Sequence, residues 1–220
     1  MKIGLIGRGV DGEYLLQLMN QHFFVAWYDK QRYGYNEINN HIQYYSIRDV
    51  IEYVEGAPIF LCLPLSAVDE VCKEINDIVR DIQFDNAIPR GTVGQIIVIK
   101  STVPPKTTEI LNSRYEYLRC VFNPETQGKI IIGGSAKAAS VVKQIYQVID
   151  PNFLTIKTDA TTAEMVKYLI DDFLDKKSKF AGEMYKVCEK TGVDYDKVVE
   201  YAINDTRLGL TNWEVNKGDI

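Results

Sequence analysis

The segment Gly7-Arg8-Gly9-Val10-Asp11-Gly12 follows the apolar run Lys2-Ile3-Gly4-Leu5-Ile6 without a break, and this junction restricts the fold more than any other stretch of the chain. A strand that enters G-x-G-x-x-G and leaves as a helix is the opening of a nucleotide-binding βαβ unit. The motif alone is common, so its meaning rests on context. A second apolar run, residues 23–29 (FFVAWYD), ends in Asp29, about twenty residues beyond the first glycine, where such units carry an acid. In that arrangement Gly7 makes a tight turn, Gly9 lets the main chain approach a pyrophosphate at the positive end of the helix, and Gly12 allows close helix-to-strand packing. Asp29 would accept hydrogen bonds from ribose hydroxyls and repel a 2′-phosphate, which points to NAD rather than NADP. Arg8, Val10 and Lys30 join the cofactor candidates by position. Asp11 counts against them, because a carboxylate in a phosphate loop is tolerated only when it faces outward.

Downstream, short β-branched runs alternate with longer amphipathic ones, the pattern of a doubly wound, mostly parallel sheet. Strands are predicted at 2–6, 23–29, 58–63, 95–100, 118–122 and 129–133, with an edge strand at 153–157. Helices are predicted from the glycine loop to about Gln21 and over 46–54, 67–82, 104–115 and 135–149, while 31–45 and 83–94 read as surface loops. After Asp159 the pattern becomes one long helix, with Thr161-x-x-Glu164 as its capping box, Gly192 as its stop and a stripe of Val166, Leu169, Phe173, Phe180, Met184 and Val187. About 30 residues at 1.5 Å each span roughly 45 Å, more than a compact domain needs. The expected organisation is a Rossmann-like domain over 1–158, a helical dimerisation region over 159–209 and a polar tail over 210–220.

The formal net charge of −5, with no Lys/Arg-rich tract, argues against nucleic acid as a partner and leaves small molecules or proteins. There is no apolar stretch of about 18 residues, and Met1-Lys2 leads straight into a strand, so neither membrane span nor export signal is expected and the setting reads as cytoplasmic. The four cysteines, Cys62, Cys72, Cys120 and Cys188, lie in apolar runs without metal-ligand spacing. No metal site is expected.

Six segments, in this order, resemble the UDP-glucose/GDP-mannose 6-dehydrogenase family: GRGVDG, IFLCLPL ending at Leu65, KSTVPPKT (100–107), FNPE (122–125), AEMVKY (163–168) and NDTRLG (204–209). The resemblance implies an NAD-dependent enzyme that oxidises the alcohol of a nucleotide sugar such as UDP-glucose, acting as a homodimer through the long helix. It places Leu63 and Pro64 beside the cofactor and makes Thr102 a cofactor-side threonine that helps hold a catalytic water. It makes Glu125 a carboxylate assisting acyl-enzyme hydrolysis, and Lys167 the lysine that contacts substrate and stabilises the developing oxyanion. Asp171 stands where the family has asparagine, one helical turn beyond Lys167; a carboxylate there would pair with the lysine and repel an oxyanion.

Other departures cluster at substrate chemistry. Thr126-Gln127-Gly128 is shorter than the family's segment after Glu125, and Leu65-Ser66 replaces Thr-Pro. No Cys-Phe-Pro-Lys-Asp-like loop follows NDTRLG within residues 210–220, and these residues are too few for a nucleotide-sugar domain, so four-electron oxidation by residues 1–220 alone is not expected. A non-catalytic NAD-binding dimer and a two-electron enzyme of the β-hydroxyacid dehydrogenase type remain alternatives.

Overall fold

The computed structural model describes residues 1–31, 41–86, 94–124 and 129–215. Its main element is a single eight-stranded sheet in the order β3-β2-β1-β4-β5-β6-β7-β8. The strands are β1 (Lys2–Ile6), β2 (Phe24–Tyr28), β3 (His41–Gln43), β4 (Ile59–Leu61), β5 (Gln95–Ile99), β6 (Leu118–Phe122), β7 (Ile130–Gly133) and β8 (Thr155–Thr158). From β3 to β6 every pairing is parallel. The β6–β7 pair is antiparallel, Phe122 opposite Gly133, and β7 pairs in parallel with β8. Only seven residues separate β6 from β7, too few for the crossover that a parallel pair needs.

Helices cover both faces of the sheet, as its doubly buried central strands require. On one face α2 (Ile47–Val54), α3 (Leu65–Asp85) and α4 (Thr107–Arg114) present Val50, Val54, Cys72, Ile75, Val79 and Leu111 to Ile59, Leu61, Ile97 and Ile99. On the other, α1 (Val10–Met19) and α5 (Ala136–Ile149) pack Leu15, Leu16, Met19, Val142 and Ile145 against Ile3, Leu5, Phe60, Val98 and Val121. Ser46 starts α2 in the expected way, its hydroxyl accepting from the Asp49 amide at 3.2 Å.

The structure departs from the sequence expectations at several places. The stretch read as the surface loop 31–45 contains β3, whose Val25–His41 and Trp27–Gln43 pairings are supplied by β2 rather than by any apolar alternation of its own. The loop read over 83–94 begins later, since α3 runs to Asp85. Helix α4 starts at Thr107 instead of 104, because Pro105 disfavours helical geometry at Pro104 and Lys106 is left-handed, with φ 75. Cys62 is not in a core strand: β4 ends at Leu61 and Cys62 is half-buried beyond it. Residues 32–40, 87–93, 125–128 and 216–220 lie outside the described residues, and with them parts of both loops, Glu125 and the end of the tail.

The chain divides into two compact units, Met1–Lys167 and Tyr168–Ile220, and α6 (Ala160–Thr191) has residues in both. The second unit contains α7 (Tyr195–Ala202) and a 3-10 turn at Thr206–Leu208. Its core gathers Ala181, Cys188 and Tyr195 with Met184, Tyr185, Val199, Trp213 and Val215. Residues 210–215 take part in this packing: the Tyr195 hydroxyl donates to the Trp213 carbonyl at 2.8 Å, and Lys177 Nζ donates to the carbonyls of Leu208 and Thr211 at 2.8 and 2.6 Å. Along α6, Leu169, Phe173, Phe180 and Val187 are exposed.

Candidate functional site

The strand order reverses direction between β1 and β4, and the crevice beyond their carboxyl ends is where an open α/β sheet accepts a ligand. The three glycines of the loop that follows β1 meet different surroundings there. Gly7 has φ 91, and a Cβ on it would stand 2.2 Å from the Cys62 carbonyl oxygen, so only glycine fits this turn. A Cβ on Gly12 would stand 2.1 Å from the Gly7 carbonyl oxygen, which is how closely α1 approaches the loop. Gly9 has nothing within 4 Å of an added Cβ. It faces open space and lines both cavities of the crevice. Gly9 is also the N-cap of α1, and no side chain caps that end, leaving first-turn amides aimed at the crevice.

The larger of the two cavities, about 420 Å³, runs from Gly7 and Gly9 to Tyr28, Asp29, Lys30 and Gln31, with Leu63, Pro64, Ala67 and Val71 along its other side. Asp29 sits half-buried at the end of β2. Its two oxygens accept the amides of Arg8 at 2.6 Å and Gln31 at 2.8 Å. Each oxygen keeps a lone pair for a ligand hydroxyl, so the carboxylate is fixed in place without being used up. The Arg8 side chain turns elsewhere: its Nε donates to Glu13 at 2.6 Å and the guanidinium covers the Trp27 ring at 4.3 Å. Of Arg8, the main chain is what reaches the site. Behind it, Trp27 Nε1 donates to Nδ1 of buried His41 at 3.3 Å, and burial, with Arg8 nearby, lowers the His41 pKa against an opposing effect of Glu13.

The second cavity, about 390 Å³, is lined by Gly9, Val10, Asp11, Cys62, Leu63, Pro64, Leu65, Ser101 and Thr102. Half-buried Ser101 and exposed Thr102 follow β5 after one residue, Lys100. The Leu63 amide donates to Ser101 Oγ at 3.0 Å, joining the loops after β4 and β5. Lys100 beside them is buried, its Nζ donating to Asn123 Oδ1 at 3.3 Å, while the Tyr146 hydroxyl donates to the same oxygen at 2.5 Å. Asp11 does line this cavity, so a negative charge stands at its rim.

With this geometry in place, comparison with known proteins gives a consistent result. Residues 161–217 match the model of the UDP-glucose/GDP-mannose dehydrogenase family, central domain. A UDP-N-acetyl-D-mannosamine dehydrogenase of Methanococcus maripaludis is 31% identical over 180 residues, covering 72% of this chain and 40% of that protein. The UDP-glucose 6-dehydrogenase TuaD of Bacillus subtilis is 31% identical over 136 residues, 52% of this chain and 29% of that protein. This chain is a relative of the UDP-glucose/GDP-mannose dehydrogenases. Among solved structures, a UDP-glucose dehydrogenase from Pyrobaculum islandicum shares the fold with a TM-score of 0.76 at 23% identity, over 94% of this chain and 57% of that one. The GDP-mannose dehydrogenase of Pseudomonas aeruginosa does so with a TM-score of 0.75 at 18% identity, over 98% and 59%. The chain spans about 40% of the length of the curated relatives it matches first.

The residues singled out by resemblance to the UDP-glucose/GDP-mannose dehydrogenases fall unevenly. Thr102, Leu63 and Pro64 come together with Gly9 and Val10 around one cavity. Lys167 is half-buried on α6 and is not among the residues lining either cavity. Asp171, four residues farther along that helix, belongs to the second unit. Glu125 lies outside the described residues. Ser101, Ala67 and Val71 also line the cavities without having been expected to: Ser101 lies in the KSTVPPKT segment beside Thr102, and Ala67 and Val71 lie on the first turns of α3, where no motif marks them. Among the described residues there is no cluster of His, Cys, Asp or Glu suited to a metal ion, and no helix is long and apolar enough to cross a membrane.

Proposed function

We propose that the chain binds NAD across the two cavities and serves in the oxidation of a nucleotide-sugar alcohol, UDP-glucose or a close analogue. The observation that carries this reading is the loop geometry: Gly7 and Gly12 have no space for a side chain, whereas Gly9 opens onto the crevice at an uncapped helix end. A pyrophosphate at Gly9 would meet the α1 amides, and the adjoining ribose would reach the fixed carboxylate of Asp29 in the larger cavity. Arg8, through its main chain, supports that carboxylate, and Val10, Lys30, Leu63 and Pro64 flank the dinucleotide.

When bound, NAD supplies the hydride acceptor. The chain supplies position and charge. Thr102, at the cavity remote from Asp29, orients a water beside the reacting carbon. Lys167 stabilises the oxygen as it loses its proton and Asp171 modulates that lysine, while Glu125 would assist a hydrolytic stage only where a nucleophilic cysteine completes a four-electron oxidation. The exposed Leu169, Phe173, Phe180 and Val187 on α6 support a homodimer, and four free cysteines suit a cytoplasmic setting.

Calorimetry with NAD tests the premise directly; no heat at millimolar NAD defeats it. Turnover is then followed by absorbance of the reduced cofactor with UDP-glucose, UDP-N-acetylmannosamine, GDP-mannose and simple hydroxy acids, with Lys167→Ala as the control. Binding without turnover on any of them favours a non-catalytic module, and turnover of hydroxy acids alone favours a two-electron enzyme. Light scattering at micromolar concentration tests the dimer, a monomer refuting it.

A further inference from the structure

Glu164 is fully buried, and its sequence position reads as the second half of a capping box for its own helix. The structure assigns that work to Asp159, which accepts from the Thr162 amide at 2.7 Å, while the Thr161 hydroxyl donates to Glu109 at 2.8 Å. The Glu164 carboxylate instead reaches another helix. It accepts from the Lys106 amide at 2.6 Å, the Thr108 amide at 2.8 Å and the Thr108 hydroxyl at 2.6 Å. A buried carboxylate needs such donors, and here all three belong to one turn at the start of α4.

That turn is strained. Lys106 has φ 75, in the left-handed region, and gives no side-chain cap to the helix it precedes. A non-glycine residue keeps this conformation only where its surroundings over-determine it. Pro104 and Pro105 constrain it from one side and Glu164 holds it from the other. Four residues upstream is Thr102, on the same loop, in the wall of the smaller cavity.

The other end of the connection is equally fixed. A Cβ on Gly133 would stand 2.5 Å from the Ala163 Cβ, so the first turn of α6 is seated directly on β7. Lys167 is three residues beyond Glu164, hence on the same side of the helix. We propose that Glu164 is a positioning residue: it locks the Lys106–Thr108 turn to α6 and so sets the loop bearing Ser101 and Thr102 for the dinucleotide, in register with Lys167. The role rests on the proposed NAD site.

The test uses NAD calorimetry and amide exchange on the whole chain. Glu164→Gln places an amide N–H against the Lys106 or Thr108 N–H, and should weaken NAD binding about tenfold, the scale of one charge-assisted hydrogen bond. Exchange at residues 101–108 should accelerate, with exchange in β1 and β2 unchanged. Adding Lys106→Gly should restore most of the affinity, because glycine holds the left-handed turn without the clamp. Should Glu164→Gln fail to fold, Thr108→Val, which removes only the hydroxyl bond, should weaken NAD binding about threefold. Wild-type affinity in Glu164→Gln, or a loss that Lys106→Gly does not recover, overturns the proposal while leaving the NAD site intact. Absence of NAD binding by the unaltered chain overturns both, and is distinguished by occurring before any substitution.

Discussion

Replacing Gly9 by alanine separates binding from folding. Gly9 has φ −69 and ψ −161, which alanine adopts without strain, and its new Cβ would have no atom within 4 Å. Two small effects on stability oppose each other. Alanine restricts the unfolded chain, worth about 0.4–1 kcal/mol, and is a poorer N-cap than glycine by roughly 0.5–1 kcal/mol. The urea midpoint should therefore stay within the equivalent of about 0.5 kcal/mol of the parent. The methyl group occupies the space where a pyrophosphate would approach the α1 amides. Losing one charge-assisted hydrogen bond costs about 1.5–3 kcal/mol, or roughly 10- to 150-fold in affinity. Gly12→Ala supplies the contrast: its Cβ would stand 2.1 Å from a main-chain oxygen, so α1 must move and stability should fall by about 1–3 kcal/mol or more. Calorimetry with NAD and urea unfolding of both variants make the check. An alanine at position 9 that leaves the NAD dissociation constant within twofold would refute the assignment of that open space to the dinucleotide.

Asp11→Asn should tighten NAD binding about threefold at low salt, because one unit charge some 7 Å from a phosphate in water-like surroundings is worth roughly 0.6 kcal/mol; the gain should vanish at 1 M salt, and an unchanged affinity at low salt counts against the placement. Asp29→Asn should lower NAD affinity about tenfold while narrowing the preference over NADP, measured by parallel titration, since the amide neither anchors both backbone donors nor repels a 2′-phosphate. His41 gives a pH dependence of known sign. Its pKa is lowered in the folded chain, by burial first and by Arg8 second. As pH falls through about 6.5 the unfolded chain takes up this proton first, so the contribution is present above that pH and lost below it. His41→Gln should flatten the decline in urea midpoint between about pH 7 and pH 5.5; a decline of unchanged steepness would show that other groups cause it.

The opening βαβ unit was legible because its signals are local. Ile3 to Ile6 alternate with nothing polar, Gly7 and Gly12 sit at the spacing a tight turn demands, and Asp29 ends the next strand. Each property is carried by residues close along the chain, so periodicity and turn chemistry reveal it before any folding. The long helix after Asp159 was legible for the same reason. The strand His41–Gln43 was not: three residues carry too little pattern, and it is a strand because β2 offers its unpaired edge.

Glu164 shows the same limit at the site. Its spacing from Thr161 suits a local cap, yet its partners are Lys106 and Thr108, 58 and 56 residues away in sequence. A carboxylate bonds the donors that the packed chain brings within 3 Å, and no local rule ranks a neighbour on the same helix against one from another element. The amino-acid order by itself thus determined the alternating elements and the glycine turn. Which loop walls the cavity beside Thr102, which carboxylate holds it, and that the Arg8 guanidinium lies over Trp27 were decided only when the elements packed, since each depends on atoms that chain connectivity leaves far apart.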